Sequence, residues 1–130
     1  MPTFNVPITT DGSGNADVTF PLSRIGLPPT GGKLDAIHYV KDGTNGFSNG
    51  VDFSITDPVT GEVILNENDV NSSAIRRPRA ATHTTAGAAA LYAAGGVAVL
   101  DRIAVNGSIR IAVSSGGANK NGTFIIVVGE

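Results

Sequence analysis

Short segments in which every second residue is apolar recur along this chain and limit the folds open to it. Phe4, Val6 and Ile8 alternate with polar or small neighbours, and Val51, Phe53 and Ile55 do the same. This period of two places alternate side chains on opposite faces of a β-strand. Glycine, asparagine and aspartate separate the segments and are typical of turns. The pattern predicts strands throughout and little helix.

The turn residues suggest how the strands connect. We predict β-hairpins over residues 3–20, 51–65 and 97–113, the last through the pair Asn106-Gly107, which is typical of a two-residue hairpin loop. Further strands are predicted at 33–41 and at 123–128, where a nearly continuous apolar run is typical of the centre of a sandwich. Residues 75–80 resemble a short edge strand, and 86–94 predict a single helical turn or a packed loop.

These elements predict an all-β fold of about eight strands, an antiparallel β-sandwich or a jelly-roll-like barrel. At most a short helical turn near 86–94 is expected. At 130 residues, one domain spanning 1–130 is long enough to bury a hydrophobic core.

Charge is sparse and unevenly distributed along the chain. Only 15% of residues are charged, against about 25% in typical domains, which favours a surface that lies against other protein. Residues 1–71 contain nine carboxylates and three cations, whereas residues 72–130 contain six cations and two carboxylates. Either the two halves form opposite patches that steer association, or folding interleaves them and cancels the difference.

The residue types needed for catalysis do not form a recognisable set. There is no cysteine, and His38 and His83 are the two histidines. Residues 46–50 match G-x-S-x-G formally, but a loop precedes the serine and a strand follows it, unlike a nucleophile elbow. We therefore predict no catalytic, cofactor-binding or metal-binding residue and no enzymatic activity. A small hydrolase remains as an alternative only if both histidines converge with a carboxylate.

The densest positive charge is Arg76-Arg77-Pro78-Arg79, followed by His83 and an alanine-rich stretch. A contact with an acidic protein surface is favoured over a solvated loop. Nucleic acid is disfavoured, because the chain is acidic overall and poor in aromatic residues. No signal peptide or membrane span is visible, and no membrane partner is expected. The predicted protein-interface residues are Arg76, Arg77, Arg79, His83, Ala88, Ala89, Leu91 and Tyr92.

Three segments resemble small structural proteins of tailed bacteriophages. They are the opening strand–Asp-Gly-Ser-Gly–strand, the Pro-Arg-Ala segment at 78–80, and the closing stretch from Val105 to Phe124 with its Ser-Ser-Gly-Gly-Ala-Asn-Lys-Asn-Gly loop. The chain is similar to accessory head proteins of the cement or decoration class, whose β-folded subunits sit on a capsid lattice, commonly as trimers.

The resemblance implies a non-enzymatic virion protein, assembled in the bacterial host cytoplasm, that binds and stabilises the phage head shell. Its partners would be the major capsid protein or other virion proteins, together with further copies of itself, a homotrimer being favoured. A phage tail or head–tail accessory protein is one alternative. A carbohydrate- or receptor-binding β-sandwich module is another, with Tyr39, Phe47 and Tyr92 as its candidate aromatic residues.

Overall fold

The computed structural model of the chain describes residues 3–22 and 31–129, which form ten β-strands and no helix. The strands are β1 Thr3–Thr9, β2 Ala16–Pro21, β3 Gly31–Lys41, β4 Val51–Thr56, β5 Val63–Val70, β6 Ala74–Arg76, β7 Arg79–Ala81, β8 Leu100–Asn106, β9 Ser108–Ser114 and β10 Asn121–Gly129. Accordingly, no helix of these residues is long and apolar enough to cross a membrane.

The strands are arranged in two antiparallel sheets. Sheet A has the order β1-β10-β3-β8-β7, and β6 pairs with β3 at the end that β8 leaves open. Sheet B has the order β2-β9-β4-β5. The predicted antiparallel β-sandwich is therefore confirmed, and the sheets are not closed into a barrel.

The alternation of apolar residues builds the core between the sheets. β1, β4 and β10 each bury every second side chain, as period two requires. An aromatic cluster joins the two layers, with Tyr39 and Phe124 from sheet A and Phe53 from sheet B at ring-centroid distances of 4.7–5.4 Å. β10 lies between β1 and β3, which confirms the central position predicted for residues 123–128.

Two of the three predicted hairpins are wrong in their pairing, although their strands are present. β1 pairs with β10 while β2 pairs with β9, so residues 3–20 cross from one sheet to the other. β8 and β9 are likewise in opposite sheets, so Asn106-Gly107 is a corner between the sheets. Only the 51–65 hairpin pairs as predicted, through β4 and β5.

Hydrogen bonds to distant residues explain why these turns become corners. At the first corner, Thr10 is buried and its hydroxyl donates to the Gly117 carbonyl at 2.6 Å. At the second, the Asn106 amide donates to the Asp57 carboxylate at 2.7 Å, and the Leu22 amide donates to the Gly107 carbonyl at 2.8 Å. Bonds over such sequence separations are invisible to a local turn pattern.

The segment after β5 also differs from prediction. Residues 75–80 form two short strands, β6 and β7, on either side of Arg77-Pro78. Residues 86–94 contain turns and isolated bridges in place of a helical turn, and they are exposed except for the half-buried Ala90, so they are not a packed loop.

Candidate functional site: an exposed, uncharged arm

Between β7 and β8 the chain leaves the sandwich as an arm, which we define as residues 82–99. Its root continues the β7–β8 ladder, because the Thr82 amide donates to the Val99 carbonyl at 2.9 Å. Ala90 lies between the same two residues: its amide donates to the Thr82 carbonyl at 3.0 Å, and its carbonyl accepts from the Val99 amide at 2.9 Å. At the root, the backbone segments at Thr82, Ala90 and Val99 are therefore all hydrogen bonded to one another.

Two tight turns shape the arm beyond its root. The first turn is closed by the Gly87 amide, which donates to the Thr84 carbonyl at 2.9 Å. The second forms the tip, where the Gly96 amide donates to the Ala93 carbonyl at 2.8 Å. Gly87 and Gly95 have φ angles of 82° and 69°, which favour glycine because a Cβ is strained there. The alanine- and glycine-rich sequence therefore serves turns and close strands.

The tip presents a pair of apolar side chains to solvent. The Tyr92 amide donates to the Val97 carbonyl at 3.0 Å, so these residues are opposite each other in the tip hairpin. Each side chain is 75% exposed. Residues opposite each other in a hairpin project to the same face. Tyr92 and Val97 together therefore form a protruding apolar knob that does not pack on its own body.

The arm carries no formal charge. From Ala80 to Leu100 there is no Asp, Glu, Lys or Arg, and His83 is the only basic side chain. Exposed chain segments normally carry charge for solubility, whereas the central parts of protein interfaces are depleted of it.

The predicted interface residues divide into two groups. His83, Ala88, Ala89, Leu91 and Tyr92 lie together in the arm, where His83 and Ala89 form a β-bridge. The arginines lie at its base and are mostly engaged: Arg76 Nε donates to Glu67 at 2.5 Å, and half-buried Arg79 donates to the Asp35 carbonyl at 3.2 Å. Arg77 is exposed. The assignment of these residues to a protein interface remains a prediction.

The sequence analysis missed three exposed apolar residues near the same site. Val97 lies in the tip, Leu100 lies at the root and is 52% exposed, and Ile75 in β6 is also 52% exposed. The uncharged run from Ala80 to Leu100 is a sequence signal that could have found Val97 and Leu100. Ile75 had no such signal, because its exposure follows from its place on β6.

Folding interleaves the acidic and basic halves of the chain. Arg76 pairs with Glu67, Arg79 with Asp35, and Arg110 with Asp17, each a cation of the second half with a carboxylate of the first. The hydrogen bond from Arg110 holds the pKa of Asp17 below its usual value. These ion pairs favour the alternative in which the charges of the two halves cancel over the one in which they form separate patches. Shape and apolar contact are therefore more important than net charge to any interface.

One row of side chains on the outer face of sheet A lacks formal charge, whereas the outer face of sheet B carries charged side chains. Sheet B presents a polar outer face, with Asp17 and Thr19 of β2 beside Ala112 and Arg110 of β9. On sheet A, the cross-strand row of Asn5, Ile125, His38 and Ile75 is free of formal charge. We call this set, with the adjacent Pro7, Thr123 and Val40, the outer row. Its β10 members are only half-buried, and Val40 is 44% exposed.

A groove of about 1040 Å³ adjoins the outer row and shares His38, Val40 and Ile75 with it. Its other wall is the β5–β6 connection, which includes the ion pair of Glu67 and Arg76. The described part of the chain holds no group of three or more His, Asp or Glu side chains that could bind a metal. His38 lies in β3 and His83 lies in the arm, on elements that do not pair.

The opening Asp-Gly-Ser-Gly turn and two of the candidate aromatic residues take structural roles. The Asp11 carboxylate, in the segment Asp11–Asp17, accepts hydrogen bonds from the Ser13 and Asn15 amides at 2.8 and 3.1 Å, which lower its pKa and close the first corner. Tyr39 and Phe47 are buried, at 5% and 1% exposure. Of the three aromatic residues considered for carbohydrate binding, Tyr92 alone is available at the surface.

Comparison with known proteins adds no family to this description. No protein-family model matches the sequence, and a search of curated proteins finds no match.

Proposed function

We propose that this chain is a non-enzymatic structural protein of a bacteriophage particle, a decoration or cement subunit that binds the head shell and stabilises it by bridging neighbouring subunits. Its partners are the major capsid protein or other virion proteins and further copies of itself, with a homotrimer as the expected assembly. It acts in the virion after assembly in the bacterial cytoplasm.

The observation that carries this proposal is the arm. An 18-residue segment without formal charge leaves the body, and its apolar knob of Tyr92 and Val97 is 75% exposed. Burying such a surface against another protein is favourable by roughly 25 cal/mol for each Å² of apolar area. A segment of this kind is suited to a chain whose surface is covered by neighbouring proteins in a lattice.

The segments that resemble phage head proteins support the proposal because two of them are joined in space. The opening turn and the closing loop are hydrogen bonded to each other: the Gly116 amide donates to the Gly14 carbonyl at 2.9 Å, and the Asn119 amide donates to the Asp11 carbonyl at 3.1 Å. The third, Pro78-Arg79-Ala80, leads into β7 and forms the base of the arm. The resemblance therefore concerns one corner of the body and the departure point of the arm.

A tail or head–tail accessory role rests on the same arm and differs only in the particle component that it contacts. The carbohydrate-binding alternative is weaker, because Tyr39 and Phe47 are in the core. Sugar sites usually need exposed aromatic rings.

The proposal is tested on particles released by the bacterium that carries the gene. These particles are separated by density gradient and probed with an antibody against the purified chain. We expect the chain to sediment with intact heads and to be absent from separated tails. Detection only among soluble proteins, in a preparation that contains particles, would overturn the proposal, and recovery with tails would favour the accessory alternative.

A shortened variant shows whether attachment to heads requires the arm, either as a contact with the shell or as the element that joins copies of the chain. Residues 83–98 are replaced by Asn-Gly, so that Thr82 and Val99, already bonded across the ladder, are joined by a two-residue turn. Heads stripped of the chain should rebind wild-type protein and lose binding to the shortened variant. Asp17→Asn, which alters only the exposed pair with Arg110, is the control that should bind like wild type.

A further inference from the structure

The arm and the outer row of sheet A share one chemical character within a single chain. Residues 82–99 of the arm have no formal charge, and neither does the row of Asn5, Ile125, His38 and Ile75. Burying an unpaired charge is costly, so an uncharged apolar segment is best matched by a surface that also lacks charge. The outer face of sheet B, with Asp17 and Arg110, is a poorer match.

The sequence of β10 gives independent support for a covered outer face. Antiparallel sheets with one solvated face usually alternate apolar and polar residues. In β10, Phe124, Ile126 and Val128 are in the core, yet Ile125 and Val127 on the opposite face are apolar as well. A strand that is apolar on both faces is typical of a sheet that is covered on both sides.

The arm does not provide this cover within its own chain, because its knob of Tyr92 and Val97 remains 75% exposed. The groove beside the outer row has a volume of about 1040 Å³; Val40 and Ile75 line its outer-row side, and its other wall carries Asp69 and the ion pair of Glu67 and Arg76. It is large enough to receive a hairpin tip whose apolar residues are one tyrosine and one valine.

We propose that the arm of one copy docks on the outer row of a second copy, with Tyr92 and Val97 against Val40 and Ile75 on the outer-row side of the groove. This inference rests on the proposed structural role and specifies how the copies join. The two surfaces are different parts of the chain, so the contact is head-to-tail and a ring forms when the rotation between copies closes.

The absence of cysteine from the sequence allows a clean cross-linking test. Ala94→Cys marks the tip beside the knob, Ser72→Cys marks the groove, and Thr19→Cys marks the polar face of sheet B; all three positions are exposed, and none of the substitutions removes a residue of the proposed contact. Equal amounts of two variants, one with a tag that changes its mass, are mixed and treated with a bismaleimide. Mixed dimers and same-variant dimers then separate on a denaturing gel.

We expect mixed dimers of Ala94→Cys with Ser72→Cys and their loss when Thr19→Cys replaces Ser72→Cys. Dimers within Ala94→Cys alone would show an arm-to-arm contact and overturn the inference. Equal yields with Ser72→Cys and Thr19→Cys, or no mixed dimers at concentrations that saturate particle binding, would also overturn it. Failure here leaves the particle test intact, since a chain that binds heads singly would pass that test.

An affinity measurement tests the same contact without cross-linking. Tyr92→Ala should raise the dissociation constant of the assembly about 30-fold, as measured by light scattering over a dilution series, because a buried aromatic anchor dominates such interfaces. Thr85→Ala, in the other turn of the arm, is the matched control and should leave the constant close to that of wild type. An equal effect of both substitutions, or no effect of Tyr92→Ala, would contradict the assignment.

Discussion

The two-sheet body and the arm are both held by backbone hydrogen bonds between extended segments. The body buries its apolar side chains, whereas the arm exposes those at its tip. In the body, two sheets enclose side chains such as Phe124, Ile111 and Ile126 at 0% exposure. In the arm, backbone hydrogen bonds of 2.8–3.0 Å hold a defined shape, while the tip side chains remain 75% exposed. Burial stabilises the body, whereas turn geometry shapes an arm without a core. This difference is the basis of our proposal that the arm's apolar residues serve contacts outside the single chain.

The largest expected effect separates core from arm directly. Phe124→Ala should lower the free energy of unfolding by about 3–5 kcal/mol, because it leaves a cavity beside Tyr39 and Phe53. Tyr92→Ala should change the unfolding free energy of the monomer by less than about 0.5 kcal/mol. Urea denaturation in dilute solution measures both. A loss of similar size at the two sites would break the distinction.

The buried corner is the next most sensitive part of the body. Asp57 is fully buried, and its carboxylate accepts from the Val59 amide at 2.8 Å and from the Asn106 side chain at 2.7 Å. Asp57→Ala leaves these donors unpaired and should cost about 2–3 kcal/mol in urea denaturation. The exposed Asp42 also accepts from a backbone amide, that of Asn45, so Asp42→Ala is the control and should cost less. An equal loss at both positions would show that burial of the corner does not matter.

Substitutions at two glycines show how tightly the body and the arm are packed. A Cβ on Gly122 would lie 2.5 Å from the Phe47 ring, whereas a Cβ on Gly87 would meet nothing within 4 Å. Gly122→Ala should therefore lower the unfolding free energy by about 1–3 kcal/mol through overpacking. Gly87→Ala is strained by its positive φ, but the strain should be confined to the arm and leave the unfolding midpoint of the body nearly unchanged. Denaturation midpoints that shift equally would contradict this.

The smallest effect comes from the surface pair of Asp17 and Arg110. The Arg110 hydrogen bond lowers the folded-state pKa of Asp17 below 3.8, so the pair stabilises the folded state above that pH. This contribution is lost as the pH falls through the lowered pKa, and salt screens it because both side chains are half exposed. Urea denaturation should show wild type and Asp17→Asn converging below about pH 3.8. A difference that persists in strong acid would rule out the ion pair as its source.

The strands were predictable from sequence because period two is a local signal. Val51, Phe53 and Ile55 alternate in the sequence and in the core, and the 51–65 hairpin pairs as its turn suggests. The partner of each strand was harder to predict from the sequence. Asn106-Gly107 has the composition of a hairpin turn, yet Asp57, 49 residues away, accepts from Asn106 and holds the turn as a corner between sheets.

The candidate site was predictable in part for a similar reason. The arm residues were predicted because an alanine-rich stretch follows the arginine cluster, and both features are visible in sequence. The engagement of Arg76 by Glu67 and of Arg79 by Asp35 depends on β5, β6 and β3 meeting in space. The outer row also depends on register, since Ile125, His38 and Ile75 become neighbours only when three strands align.

The separation of body and arm is tested most directly by the shortened variant in which Asn-Gly replaces residues 83–98. Its unfolding free energy, measured by urea denaturation in dilute solution, should lie within about 1 kcal/mol of the wild-type value, because the deleted segment adds little to the core. At higher concentration, light scattering should find the variant monomeric where wild type is assembled. A loss of several kcal/mol, or retention of the assembly, would contradict the account.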